Sequence, residues 1–177
     1  MTNITCRRKI FSEDDLKKRI TELGAQITKD YEGEPLVLVG VLKGSLYFFA
    51  DLSRAIDAPI EIDMMAIGSI PDTTSQTGIV RITKDLDVDI RGKHVLVIED
   101  VIRTGLTTAY LLQSLEVRKP LSIDVCTLLY NPDRQLINVP IKYYGFEIDK
   151  NWLIGYGMDI EEKGRNLPFI GEYEKKN

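Results

Sequence analysis

Two adjacent acids lie between an apolar run and a polar segment, an order of residues that is typical of a phosphate site. Glu99 and Asp100 directly follow the apolar letters HVLVI, and Thr104, Gly105 and Thr107 come shortly afterwards. The letters after Gly105 have helical spacing, so free backbone N–H groups and two hydroxyls would face one ligand. Gly105 would let the backbone approach that ligand closely. The segment therefore predicts a phosphate cradle with a carboxylate pair beside it.

The carboxylate pair has two chemical uses at such a cradle. Glu99 and Asp100 could hold the hydroxyls of a sugar, or a Mg²⁺ ion together with its waters. A plainer interpretation stays open at this point: the two acids are solvated at a strand end, and Thr104 caps the next helix. The motif is not a Walker loop, so the letters alone do not separate the two interpretations.

A second candidate loop, with the letters LKGS, begins at Leu42 after another apolar run. Lys43 followed by Gly44 at the start of a helix could hold a second anion. A Lys-Gly pair is nevertheless an ordinary sequence at the end of a strand. Taken alone, this loop only suggests a site.

The composition limits the class of protein. The chain has 177 residues, of which 44% are hydrophobic, and a formal net charge of −4. This size predicts one domain over residues 1–177 with an ample core. The negative charge argues against nucleic-acid binding, and no run approaches the roughly 18 apolar residues of a membrane span, so we expect a soluble, cytoplasmic protein. Cys6 and Cys126 are far apart without a CxxC partner, and we expect reduced thiols.

Helix and strand patterns alternate along the chain. The predicted helices cover about 12–31, 45–56 and 105–117, and the predicted strands cover 36–41, 59–67, 79–83, 94–98, 123–130, 141–146 and 152–156. The polar segment 68–78 has no periodicity and is expected to be a functional or mobile loop. The alternation predicts an α/β chain with a mostly parallel sheet covered on both faces. Ligands of such sheets gather beyond the carboxyl ends of the strands, where both candidate loops fall.

These loops belong to a longer pattern. The chain resembles the purine salvage phosphoribosyltransferases, most closely their bacterial hypoxanthine or hypoxanthine-guanine branch. The matching segments are VLVGVLKGS (37–45), TGIVRITKDLDVDIRGKHVLVIEDVIRTGLT (77–107), YGFEIDKNWLIGYGMD (144–159) and EKGRNLPFIG (162–171). The resemblance implies a type I phosphoribosyltransferase fold, with a mostly parallel central sheet flanked by helices, a small hood region and a lid loop at about 68–78. It also implies a homodimer or homotetramer.

The activity implied by the resemblance is transfer of the 5-phosphoribosyl group of phosphoribosyl pyrophosphate (PRPP) to N9 of a 6-oxopurine, hypoxanthine or guanine. The products would be IMP or GMP and pyrophosphate, and the cofactor would be Mg²⁺. By likeness to the family, Glu99 and Asp100 hold the ribose hydroxyls and a nearby Mg²⁺, and Asp159 lies near a second Mg²⁺. The 5-phosphate would be bound by the loop formed by Arg103, Thr104, Gly105, Leu106 and Thr107.

The two other groups of the reaction have implied sites as well. Pyrophosphate would be bound by Lys43, Gly44 and Arg165, and the resemblance implies a cis peptide between Leu42 and Lys43. Trp152 would stack on the purine, and Leu153 would offer backbone groups to its edge. The full set implied for the purine is Asn131, Trp152, Leu153 and Asp159.

Three positions depart from the family's pattern. Arg103 stands at the catalytic position, where the family has an Asp thought to assist N7 of the purine, and a guanidinium with a pKa above about 12 cannot be a general base. Asn131 stands where the family has a Lys that recognises the 6-oxo group, and an amide can donate to a carbonyl or accept from an amine. Ser69 and Ile70 stand where the lid of relatives carries Ser-Tyr.

Purine salvage remains the leading hypothesis, because the residues implied for PRPP and magnesium are all present. Two alternatives stay open: a divergent paralogue with a shifted purine substrate, such as a modified or 6-amino purine, and a weakly catalytic nucleotide-binding regulatory protein. Loss of base assistance typically lowers a rate by a factor of about 10² to 10⁴ without abolishing binding.

Overall fold

The computed structural model describes residues 6–70, 79–149 and 152–173. In chain order its elements are β1 (Cys6–Phe11), α1 (Glu13–Asp30), β2 (Leu36–Leu42), α2 (Leu46–Ala55), β3 (Ile60–Ile70), β4 (Ile79–Lys84), β5 (His94–Ile102), α3 (Leu106–Glu116), β6 (Ser122–Tyr130), a single 3-10 turn (Pro132–Arg134), β7 (Ile141–Glu147), β8 (Leu153–Ile154) and β9 (Ile170–Tyr173). Helix α2 lies between β2 and β3, and helix α3 lies between β5 and β6, which confirms the predicted α/β class.

The central sheet has six strands in the order β4-β3-β2-β5-β6-β7. Strands β3, β2, β5, β6 and β7 are parallel to one another, and only the edge strand β4 is antiparallel. The two inner strands β2 and β5 are nearly continuous apolar runs, as expected where both faces of a strand are buried. The prediction of a mostly parallel sheet is thus confirmed.

Alternate residues of these strands enter two separate cores. Leu36 and Leu38 of β2 pack with α1 and α2 on one face, whereas Val37 and Val39 pack with α3 on the other. Because successive side chains of a strand point to opposite faces, one apolar run supplies both layers. Helices α1 and α2 approach so closely at Gly24 that an added Cβ would lie within 2.5 Å of the Ala55 carbonyl oxygen.

Helix α1 begins where its sequence predicts. Ser12 is the N-cap: its hydroxyl accepts the backbone N–H of Asp15, and the Asp15 carboxylate accepts the backbone N–H of Ser12 at 2.9 Å. This reciprocal capping box satisfies two donors that the first helical turn leaves free. The buried face of α1 consists of residues at helical spacing: Leu16, Ile20, Leu23, Gly24 and Ile27.

A second, three-stranded antiparallel sheet in the order β1-β9-β8 forms the hood. The predicted strand over 152–156 is wrong in length and place, because only Leu153 and Ile154 are in a strand and they belong to the hood. The chain leaves the strand there because Gly155, Tyr156 and Gly157 all have positive φ. Strands β1 and β9 were not predicted, since they are short and pair only through contacts distant in sequence.

Two further boundaries differ from prediction. Strand β5 continues to Ile102, so the acid pair lies within the strand rather than after it. Strand β3 continues to Ile70, so the first part of the expected lid is strand, and the remaining lid residues 71–78 lie outside the described residues.

Cys6 and Cys126 are free thiols, as predicted. Among the described helices, none is both long and apolar enough to cross a membrane.

Candidate active site

The two candidate loops meet at the carboxyl edge of the central sheet. Strands β2 and β5 are hydrogen-bonded neighbours in parallel register, with Gly40 beside Ile98, so the loops that follow them lie side by side. Gly44 lies so close to Asp100 that an added Cβ would overlap the carboxylate. These two residues are among those lining a cleft of about 270 Å³, together with Glu99 and Thr107.

A helix begins at the predicted phosphate cradle, as its letters indicate. Gly105 has a φ of +78°, and an added Cβ would lie 2.7 Å from the Ile137 carbonyl oxygen, so only glycine fits this turn. The N-cap of α3 is Gly105, with no side-chain hydrogen bond, and the interpretation of Thr104 as the helix cap is therefore wrong. The backbone N–H groups of the first turn, from Leu106 onward, remain available to an anion.

A second cleft, of about 230 Å³, covers this turn. It is lined by Glu99, Val101, Ile102, Arg103, Thr104, Gly105, Thr107 and Thr108. Glu99 lines both clefts, so the acid pair lies between the cradle and the Lys43–Gly44 loop. The structure thus brings together the residues implied for the sugar and for its 5-phosphate.

The acid pair lies in an environment that is unfavourable for two negative charges, because Glu99 is buried and Asp100 is half-buried. Glu99 is only 7% exposed, and burial together with the neighbouring Asp100 charge raises its pKa to about 8, although Thr108 Oγ1 donates to it at 3.3 Å. Burial also raises the pKa of Asp100, against the opposing effects of two backbone N–H groups and of the Arg103 and Arg165 charges. Two adjacent carboxylates with raised pKa values, one buried and one half-buried, are suited to a cation or to hydroxyl donors brought by a ligand.

This burial makes the stability of the protein dependent on pH. Because the folded pKa of Glu99 is about 8 and its ordinary value is 4.5, the folded protein keeps a proton there that the unfolded chain loses. The free energy of unfolding should therefore fall as pH rises across that interval. We expect Glu99→Gln to be more stable than the parent by on the order of 1–3 kcal/mol at pH 8.5, and about equal to it at pH 4.5.

Denaturant unfolding at the two pH values tests this expectation. Exposed Glu116 in α3 is a matched control, and Glu116→Gln should show no comparable gain at pH 8.5. An equal effect of Glu99→Gln at both pH values would contradict the assignment.

The donor set fits magnesium that arrives with a substrate. Within the described residues, no three His, Cys, Asp or Glu side chains are grouped to hold a metal by themselves. Glu99 and Asp100 are adjacent, whereas Asp159 is engaged elsewhere by Arg165. Mg²⁺ commonly takes one or two carboxylates and completes its shell with water and substrate phosphates. Glu99 and Asp100 meet that requirement on one side, and Asp159 remains a candidate for a second ion.

The predicted pyrophosphate residues are also assembled by the fold. The Leu42–Lys43 peptide is cis, as the resemblance implies. Arg165 donates from Nη1 to the Gly157 carbonyl at 2.8 Å and pairs through Nη2 with Asp159 at 2.8 Å. Gly157 packs so tightly on the Lys43–Gly44 loop that an added Cβ would overlap the Gly44 carbonyl oxygen.

Glu162 is a member of this group that the sequence analysis missed. Its Oε2 lies 3.0 Å from Lys43 Nζ and 3.2 Å from Arg165 Nη2. The sequence offers one sign of this role, namely an acid three residues before Arg165, and that spacing alone is weak evidence for an ion pair. Thr108, the donor to Glu99, was likewise missed, although it directly follows Thr107.

The residues predicted for the purine are less closely grouped. Trp152 is 60% exposed, whereas Leu153 and Asn131 are each 3% exposed. None of the three lines either cleft described above. Asn131 Oδ1 is buried without a hydrogen-bond partner within the described part of the chain. Ser69 and Ile70 have strand backbone, but their side chains lie outside the described parts.

Comparison with known proteins agrees with this geometry. Residues 9–161 match the family model described as the phosphoribosyl transferase domain. The hypoxanthine phosphoribosyltransferase of Haemophilus influenzae is 46% identical over 166 residues, covering 92% of this chain and 93% of that protein. The hypoxanthine-guanine phosphoribosyltransferase of Mycobacterium tuberculosis is 43% identical over 173 residues, covering 94% and 86%.

A solved structure gives the same answer at the level of the fold. The hypoxanthine phosphoribosyltransferase of Staphylococcus aureus superposes with a TM-score of 0.90 at 43% identity, covering 96% of this chain and 92% of that one. Both the sequence and the arrangement of the sheets are therefore shared over most of the chain. The chain belongs to the phosphoribosyltransferase family.

Proposed function

We propose that this protein transfers the 5-phosphoribosyl group of PRPP to N9 of hypoxanthine or guanine, giving IMP or GMP and pyrophosphate. The observation that carries the proposal is the contact between Gly44 and Asp100, which joins the loop implied for pyrophosphate to the acids implied for the sugar. PRPP carries these groups on adjacent atoms of one molecule. The names of the relatives described above support the choice of a 6-oxopurine.

On this proposal the cradle and the acid pair hold the phosphoribosyl group. The N–H groups at the start of α3 and the hydroxyls of Thr104 and Thr107 donate to the 5-phosphate, where the positive end of the helix dipole favours an anion. Glu99 and Asp100 accept hydrogen bonds from the ribose hydroxyls. Both acids are rigidly placed within β5, so the sugar is oriented without reorganisation of the backbone.

The other loop serves the leaving group. As N9 of the purine bonds to C1′ of the ribose, the bond from C1′ to the pyrophosphate oxygen breaks and its electron pair leaves with pyrophosphate. Lys43 and Arg165 place positive charge where this negative charge develops. Glu99 and Asp100 would hold one Mg²⁺ ion and Asp159 is a candidate ligand of a second, and such ions would supply further neutralisation of the leaving group.

The purine is proposed to stack on Trp152, with Leu153, Asp159 and Asn131 around its edge. Exposed Trp152 offers a free aromatic face, and its flanking residues match the family. Arg103 occupies the catalytic position without being able to accept a proton, so the proton that the purine loses from N7 has no base there and passes to water. We therefore propose a slow enzyme with an intact PRPP site.

One observation favours a second candidate substrate. The buried Oδ1 of Asn131 has no partner among the described residues, and an amide oxygen can only accept. A base with an exocyclic amine at position 6 could donate to this oxygen, whereas a 6-oxo group would have to accept from the amide nitrogen instead. Adenine or a modified 6-amino purine is therefore the alternative substrate.

A substrate panel tests the proposal. With PRPP and Mg²⁺, pyrophosphate release is expected with hypoxanthine and guanine but not with adenine or xanthine, and it should stop when the metal is chelated. Turnover with adenine alone would replace the proposal with the second candidate. If no base gives pyrophosphate release while GMP or PRPP still binds in calorimetry, the result would favour a regulatory nucleotide-binding protein.

We further propose that the protein is a homodimer or homotetramer in the cytoplasm. Light scattering would check the assembly, and localisation of a tagged chain would check the compartment.

A further inference from the structure

One carboxylate lies between the two cations of the proposed pyrophosphate site. Oε2 of Glu162 is 3.0 Å from Lys43 Nζ and 3.2 Å from Arg165 Nη2. Lys43 and Glu162 are distant in sequence, so the tertiary structure, rather than the helical spacing that creates many surface ion pairs, brings them together. A carboxylate oxygen shared by an ammonium and a guanidinium occupies the kind of position that a phosphate oxygen would take.

The local backbone holds Glu162 in this place. Ile160 and Lys163 exchange two backbone hydrogen bonds of 3.1 Å, closing a tight turn around Glu161 and Glu162. Both glutamates have left-handed backbone, with φ of 52° and 61°, which residues with a Cβ rarely adopt. The N–H of Glu162 donates to Asp159 Oδ2 at 2.8 Å, which fixes the turn beside Arg165.

The two acids beside Arg165 are not equivalent. Asp159 is 27% exposed and is held both by Arg165 and by the backbone of the turn. The side chain of Glu162 is 65% exposed and is held only by its two cations among the side chains described. Its extra methylene and its exposure let it rotate away without backbone movement. Asp159 therefore orients Arg165, while Glu162 can be displaced.

We infer that Glu162 is an internal competitor of pyrophosphate, which occupies Lys43 and Arg165 in the free protein and leaves them when the diphosphate of the substrate binds. This inference rests on the proposed function, because it takes these two residues as the pyrophosphate site. Each binding event then breaks two ion pairs before it forms new ones. Glu162 lowers the affinity for PRPP, and by the same exchange it speeds the departure of the pyrophosphate product.

Replacing Glu162 with Gln tests the inference, because the amide keeps the size of the side chain and one acceptor oxygen while it removes the negative charge. The matched control is Glu161→Gln, which removes the same charge from the same turn at a residue that has no ion pair with described residues. The probe is inorganic pyrophosphate with Mg²⁺, titrated into the full-length protein by calorimetry at low ionic strength.

Glu162→Gln is expected to bind pyrophosphate about three- to tenfold more tightly than Glu161→Gln, as the loss of two exposed ion pairs would give. The difference should shrink at high salt, since exposed charges are screened. In turnover, KM for PRPP should fall and inhibition by pyrophosphate should become stronger. Equal affinities in the two variants, or no detectable binding in either, would overturn the inference. Weaker binding by Glu162→Gln would also overturn it, because Glu162 would then position the cations for the ligand.

Failure of the proposed function would be seen separately. Pyrophosphate release by the parent protein with hypoxanthine and PRPP reports on the reaction, whereas the calorimetric comparison reports only on competition for the two cations. A protein that catalyses nothing but binds pyrophosphate more tightly after Glu162→Gln would retain the inference and lose the proposed activity.

Discussion

Replacing Arg103 with Asp is expected to raise kcat for phosphoribosyl transfer to hypoxanthine by about 10²-fold or more, the range over which a positioned general base acts. Arg103 is exposed in the loop before α3, so the change should not disturb the core. The guanidinium repels a proton on the purine, whereas a carboxylate accepts one. Single-turnover rates with saturating PRPP and Mg²⁺ would measure the change in the chemical step.

The matched control for this experiment is Arg103→Asn, which has the size of Asp but cannot take up a proton. Its expected gain is a few-fold at most. Equal gains in the two variants would mean that removal of the positive charge, rather than a base, is responsible. No gain in Arg103→Asp would assign Arg103 to a different mechanism. Because the Arg103 charge also lowers the pKa of Asp100, KM for PRPP should be followed in both variants.

Replacing Gly44 with Ala is expected to lower kcat/KM for PRPP by about 10²-fold, because a displacement of roughly 1 Å in a positioned group has an effect of that size. The added methyl would overlap the Asp100 carboxylate and force it away from the place proposed for the ribose hydroxyls. Steady-state kinetics with PRPP as the varied substrate would measure the loss. Thermal unfolding of Gly44→Ala should show that the protein remains folded.

A double-mutant cycle separates this steric effect from a general disturbance of the loop. Asp100→Ala removes the carboxylate that the new methyl would meet, so adding Gly44→Ala to it should lower kcat/KM by no more than about threefold further, a large departure from additivity. Additive losses in the double mutant would show that Gly44 acts through the backbone of its own loop instead of through Asp100.

Local patterns in the sequence were sufficient for much of the fold. The apolar runs of β2 and β5 predict buried parallel strands because no polar letter interrupts them, and Ser12 predicts the start of α1 through its capping chemistry. The letters from Thr104 to Thr107 predict the start of a helix, and α3 does begin there, with Gly105 as its N-cap. These features depend on neighbours a few residues away, so the chain itself encodes them.

The hood could not be predicted in the same way. Strands β1 and β9 pair across nearly the whole length of the chain, with Cys6 opposite Tyr173, and neither has a strong periodic signal. Their stability comes from each other and from the core beneath them. The prediction of a strand over 152–156 is wrong for a related reason, because a contact distant in sequence decides the local structure. The turn at Gly157 is held by its packing on Gly44.

The sequence alone determined the α/β class, the start of a helix at Gly105, the adjacent acid pair and, by its resemblance, the family to which the chain belongs. Only the tertiary structure decided which of these residues touch: that Gly44 meets Asp100, that burial raises the pKa of Glu99 to about 8, and that Glu162 lies between Lys43 and Arg165. The physical reason is that contact, burial and charge pairing depend on distance in space. Residue types and their spacing encode the chemistry that a side chain can perform. The fold decides which groups lie within reach of that side chain.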